Sequence, residues 1–177
     1  MSDRIRKRTK YLTVSAMLAA LGVLILSLGA FIEVLDISVA VIASLLAIYA
    51  VIEIGGAYPW MVWGVTSVLS ILLINPKTPA LFYAFCFGFY PIIKEKLEKR
   101  NRLICWVLKL IVFHLCLGTL VLVLWLFFPA QLDMGAFWWM PLVLYALSLV
   151  CFIVYDFLLT RMISFYLFRL RKRFRIK

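Results

Sequence analysis

The sequence predicts an all-α membrane protein, a single bundle of six transmembrane helices with both termini in the cytoplasm. Three observations predict it. Of 177 residues, 66% are hydrophobic and only 15% charged, with a mean hydropathy of +1.07, more apolar surface than a water-soluble core of this size can bury. Long apolar runs alternate with proline, glycine and charge signals that stop them. The 19 lysines and arginines, which give a formal charge of +11, gather in blocks at the ends of apolar runs, where topology and anionic lipid headgroups account for them without nucleic acid.

The first run, Tyr11 to Ile32, is long enough to cross a bilayer as one helix. Arg4, Arg6, Lys7, Arg8 and Lys10 precede it, so the N-terminus belongs inside. The run is too long for a signal peptide, and no small-residue cleavage site leads into a soluble domain. Ala16 and Ala20 stand four apart on one face, where a neighbouring helix can approach closely. Ser15, Ala19, Gly22 and Gly29 form a second small strip beside them.

The second span runs from about Ile37 to Ile52 and stops at Glu53, Gly55 and Gly56. The third starts at Pro59 and ends near Ile74, before Asn75-Pro76-Lys77-Thr78-Pro79, a loop signal with two prolines. Both are short for a bilayer. The fourth, about Ala80 to Ile93, carries Ala80, Ala84 and Gly88 at four-residue spacing as another close-packing face. It runs into Lys94-Glu95-Lys96-Leu97-Glu98-Lys99-Arg100-Asn101-Arg102, which reads as a cytoplasmic amphipathic extension. The fifth, about Leu103 to Phe128, holds Lys109 where it can snorkel to the inner headgroups, and Pro129 ends it. Trp138 and Trp139 head the sixth, which reaches about Thr160 and is followed by Arg161, Arg169, Arg171 and further basic residues. The whole chain, 1–177, reads as one integral membrane domain with basic cytoplasmic tails at about 1–10 and 161–177.

Charge tests that count. With six spans and an inside N-terminus, Lys77 alone among the 19 basic residues falls in an outside loop. An odd count would put one terminal basic block outside.

The chemistry on offer is sparse. There is no phosphate-binding G-x-x-x-x-G-K-[ST], no H-E-x-x-H and no recognisable acid–base set, so no catalytic residue, cofactor or metal site is expected. Cys86, Cys105, Cys116 and Cys151 form no C-x-x-C pair and read as small buried hydrophobes. His114, the single histidine, reads first as a hydrogen-bonding group across a helix interface. Asp156 reads as half of an ion pair at the inner interface, with Arg161 one turn away and Lys109 as the alternative partner. Glu53 reads as an inner cap of the second span or a partner of the basic loops. In the six-span topology Glu33, Asp36, Asn75, Lys77, Tyr83, Asp133, Trp138 and Trp139 converge on the outer side. Asn75, Lys77, Tyr83, Trp138 and Trp139 offer an amide, a cation and ring faces to a small, partly aromatic solute, or else belong to an aromatic belt with solvated loops.

The order of these features resembles the substrate-binding S components of energy-coupling factor transporters, bacterial importers of vitamins and other micronutrients. The resemblance lies in chain size, about six spans, basic cytoplasmic ends and an A-x-x-x-A pattern in the first span, Ala16-Met17-Leu18-Ala19-Ala20. It implies a multi-pass subunit in a bacterial cell membrane that captures a small water-soluble nutrient from outside. The same resemblance implies that Ala16 and Ala20 dock onto a transmembrane coupling subunit driven by paired ATPases. A non-transporting membrane scaffold or assembly factor is the alternative, and a membrane-embedded enzyme comes third.

Overall fold

A computed structural model describes residues 2–32, 35–98, 102–127 and 139–170. They are almost entirely helical, with no strand among them. In chain order the helices are α1 (Ser2–Phe31), α2 (Asp36–Glu53), α3 (Tyr58–Leu73), α4 (Thr78–Phe82), α5 (Tyr90–Leu97), α6 (Arg102–Phe127) and α7 (Met140–Phe165). Residues Tyr83–Phe87 and Tyr166–Leu170 are wound as π-helix. Four stretches, Ile5–Gly29, Asp36–Glu53, Leu103–Phe127 and Met140–Arg169, are long and apolar enough to cross a membrane. Tyr58–Leu73 is apolar but shorter.

Local chemistry sets the boundaries. Gly55 and Gly56 have φ of 67° and 64°, a left-handed conformation that costs glycine nothing, and the Gly55 N–H closes α2 by donating to the Ala50 carbonyl at 2.9 Å. Pro59, Pro79, Pro91 and Pro141 each stand in the first turn of a helix, where the helix that follows does not use the missing N–H in its own ladder. Pro91 falls inside the stretch expected as one fourth span. There the chain passes from α4 through the π turn, with the Gly88 N–H donating to the Tyr83 carbonyl at 2.7 Å, and restarts as α5. The basic N-terminal residues continue α1 upstream of the apolar run.

Helix α1 packs on α2 and α3 through its small strip. Ser15, Ala19, Gly22 and Gly29 are buried, whereas Ala16 and Ala20 are exposed. At Gly22 a Cβ would come within 2.9 Å of the Thr66 methyl, and at Gly29 within 2.5 Å of a Val39 methyl, so these glycines set how closely α3 and α2 approach. Thr66 Oγ1 reaches the Ala19 carbonyl at 3.4 Å. Ala80, Ala84 and Gly88 are all buried; a Cβ on Gly88 would meet Trp63 Cδ1 at 2.6 Å, and Trp63 Nε1 donates to the Ala84 carbonyl at 3.1 Å. The central core joins Leu26, Ala40, Ala43, Tyr83, Tyr155 and Leu159, from α1, α2, the π turn and α7. Leucines and other large apolar side chains cover the outside of α1, α6 and α7, the distribution expected of helices facing hydrocarbon.

Candidate functional site

Three features lie one beyond another between α2, the π turn, α5, α6 and α7. The first is a buried ionic cluster joining α5, α6 and α7. Tyr90 and Lys94 are four apart on α5 and share a face; Asp156 and Thr160 do the same on α7. Lys94, with no solvent exposure, directs its three ammonium protons to Asp156 Oδ1, to the Asp156 carbonyl at 2.7 Å and to Thr160 Oγ1 at 2.8 Å, which uses the full donor capacity of a lysine. Lys109 of α6 donates to Asp156 Oδ2 at 2.8 Å, and Tyr90 Oη donates to Oδ1 at 2.7 Å. Glu98 lies 3.4 Å from Lys94 and 3.6 Å from Lys109, so two cations meet two carboxylates. Trp106 covers Lys109, its ring centroid 5.6 Å from Nζ. Charges removed from water persist only when paired and hydrogen-bonded, and the buried Lys94, Lys109 and Asp156 are; Glu98 closes the cluster from its exposed edge.

Lys94 departs from the sequence reading, which assigned it to a cytoplasmic amphipathic extension, and Lys109, read as a snorkelling residue or as the alternative partner of Asp156, is that partner. Arg161 instead lies over the Phe157 ring at 5.3 Å. In the run of lysines and glutamates from 94 to 99, the one signal that singles out Lys94 is its spacing of four from Tyr90.

Next to the cluster is an apolar chamber of about 470 Å³, walled by α4, the π turn, α5, α6 and α7, with Ile37 of α2 also lining it. Tyr90 belongs to both, so the chamber wall is tied directly to Asp156. Tyr155, on the same wall, has its hydroxyl 2.9 Å from both the Phe87 carbonyl and Ser44 Oγ. The reason is local: residue 91 is proline, so the Phe87 carbonyl lacks the N–H that a continuous helix would supply, and the Tyr155 hydroxyl takes its place. Ser44 has one proton of its own, which can go to the Val41 carbonyl at 2.6 Å or to the Tyr155 oxygen, whose proton is on the Phe87 carbonyl.

The third feature is a mouth of about 490 Å³ at the α3–α4 loop end, lined by Asp36, Pro76, Thr78, Leu81, Phe82, Leu120 and Leu124. Phe82 and Leu120 also wall the chamber, so these two side chains separate the mouth from the space beneath. A peptide bond in the cis form, Asn75–Pro76, lies in the loop beside it.

The residues singled out in the sequence fall differently around this axis. Asn75 is exposed and Lys77 half-buried, flanking Pro76 of the mouth in sequence. Tyr83 is 1% exposed and packs in the central core, while its neighbour Phe82 lines both cavities. Trp139 is exposed just before α7. Trp138 lies outside the described residues, as do Glu33 and Asp133. Cys86, Cys116 and Cys151 share the chamber wall, a convergence from three segments that spacing along one chain does not reveal.

His114 and Tyr145 bridge α6 and α7. His114 Nδ1 lies 2.8 Å from the Leu110 carbonyl and Nε2 2.8 Å from Tyr145 Oη. A carbonyl only accepts, so Nδ1 carries the proton, and in the neutral ring Nε2 accepts from Tyr145. Among the described residues no cluster of three or more His, Cys, Asp or Glu side chains is arranged to hold a metal ion.

No protein family, no curated protein and no solved structure matches this chain.

Proposed function

We propose that this chain is the substrate-capturing membrane subunit of an importer for a small nutrient-like molecule, energised by a separate coupling subunit with paired ATPases. In this reading it crosses a bacterial cell membrane six times, α4, the π turn and α5 together forming one interrupted span, with both termini cytoplasmic. The α3–α4 loop then faces outside and the Asp156 cluster lies toward the cytoplasm. The observation that carries the proposal is the stacked arrangement of mouth and chamber, divided by Phe82 and Leu120, because concave space of this size suits a small ligand. Asn75 and Lys77 border the mouth as groups able to attract solute, and in this topology Trp139 stands at the outer end of α7. Ala16 and Ala20 supply the docking face, since they are exposed while the adjacent small strip is already used within the chain.

Mass spectrometry of small molecules copurifying with the detergent-solubilised protein from its own membranes tests the proposal. A stoichiometric small molecule is expected. Lipids and proteins alone would move the chain to the scaffold reading.

A further inference from the structure

The chamber wall specifies what it can hold. No charged side chain lines it, and an ionic ligand there would be desolvated without a partner. Its hydroxyls are engaged by the protein: Tyr90 with Asp156, Tyr155 with Ser44 and the Phe87 carbonyl, and Ser148 with the Tyr145 carbonyl at 2.8 Å. A ligand rich in hydrogen-bonding groups would therefore lose water and gain little in return. Six of the lining residues, Phe82, Phe87, Tyr90, Phe113, Phe152 and Tyr155, are aromatic. Five of them contact one another as ring pairs, Phe87 with Tyr155 at 4.8 Å, Tyr90 with Phe152 at 5.1 Å and Phe113 with Phe152 at 4.8 Å. The three cysteines add polarizable sulfur beside these rings. Such walls favour a flat ring body over a charged or heavily hydroxylated one.

We infer that the chamber binds an uncharged small molecule with an apolar, ring-bearing body, admitted from the mouth past Phe82 and Leu120. For the direction of access this rests on the capture proposal above; the ligand chemistry comes from the wall alone.

A matched pair of dyes tests it. N-phenyl-1-naphthylamine is uncharged, and 8-anilino-1-naphthalenesulfonate carries the same rings with an added sulfonate. Fluorescence titration of the full-length protein in lipid nanodiscs, corrected by protein-free nanodiscs, is expected to show one saturable site for the neutral dye and affinity for the sulfonate at least about tenfold weaker. Cys151→Phe and Cys116→Leu place bulk into the chamber from α7 and from α6, and each is expected to weaken the neutral dye by about tenfold or more. Circular dichroism and gel filtration identify any variant that has not folded, and the other then decides. Equal binding of the sulfonate, unchanged neutral-dye binding in a folded filled variant, or no saturable component would overturn the inference. So would one phospholipid retained by the wild type in native mass spectrometry and released by the filled variants, because a bilayer acyl chain would then be the occupant. Failure of the two readings is separable. Neutral-dye binding by a protein that brings down no solute keeps the chamber and removes the importer; a copurified charged solute that the neutral dye cannot displace does the reverse.

Discussion

Replacing Asp156 by asparagine removes one negative charge from a cluster in which two lysines face two carboxylates. Lys94 keeps the Asp156 carbonyl and Thr160 Oγ1, and Lys109 keeps Glu98 at 3.6 Å and the face of Trp106. Both, however, lose the carboxylate they share, and a cationic excess stays buried. Breaking a buried pair from one side costs about 3–5 kcal/mol, and we expect Asp156→Asn to fall in that range. Lys109→Met leaves Asp156 with Lys94 and Tyr90, so the loss should be nearer the ~1.5–3 kcal/mol of one hydrogen bond to a charged group. Combining the two removes one charge of each sign. The double variant should therefore be more stable than the sum of the single losses implies, with a coupling of about 0.5–3 kcal/mol. Equilibrium unfolding of the purified protein in mixed micelles with increasing sodium dodecyl sulfate, followed by tryptophan fluorescence, measures all three. An Asp156→Asn loss below ~1 kcal/mol, the scale of an exposed pair, would refute the cluster as a structural joint, and additive losses would refute the shared carboxylate.

Tyr155→Phe strands the Phe87 carbonyl opposite Pro91 and should cost about 1–3 kcal/mol; adding Pro91→Ala, which restores an N–H at that position, should recover part of it in the same unfolding assay. Gly88→Ala sets a methyl 2.6 Å from Trp63 Cδ1 and 2.7 Å from the Tyr83 carbonyl, an overpacking expected to cost about 1–3 kcal/mol, and undiminished stability would show that the π turn can shift to admit it. Ala16→Trp adds bulk to an exposed face, so expression and neutral-dye binding should be unchanged while association with a coupling subunit and net uptake fall. Loss of folding with that variant would return Ala16 to packing within the chain.

What was legible in the sequence follows from the range of the interactions. Helix ends could be read because proline, glycine and charge act within a few residues: Gly55 and Gly56 close α2, and Pro59 and Pro79 open α3 and α4. The buried strip of Ser15, Ala19, Gly22 and Gly29 and the face of Ala80, Ala84 and Gly88 could be read as well, since helical spacing alone puts small residues in register. His114 was legible as an interhelical hydrogen-bonding group, though its partner was not. The ionic cluster was half legible: Asp156 demanded a partner, and Lys109 was a candidate, but Lys94 sits in a charge run that looks solvated. Only the break at Pro91 and the crossing of α5 against α7 bring it to Asp156. The chamber was hidden for the same reason. Its wall takes residues from six segments, and Phe82 and Leu120 are ordinary apolar residues whose position between two cavities has no local signature. Tyr83, the more conspicuous aromatic by composition, turns into the core while its neighbour lines the cavities.

The account depends most on which way the bundle faces. In a variant lacking the four native cysteines, single cysteines at Lys77 and Glu98 are to be tested in intact cells with a membrane-impermeant maleimide. Position 77, beside the mouth, is predicted to be labelled from outside, and position 98, at the exposed edge of the Asp156 cluster, only after the membrane is opened. Labelling of position 98 in intact cells with position 77 protected would point the mouth into the cytoplasm and contradict capture from outside.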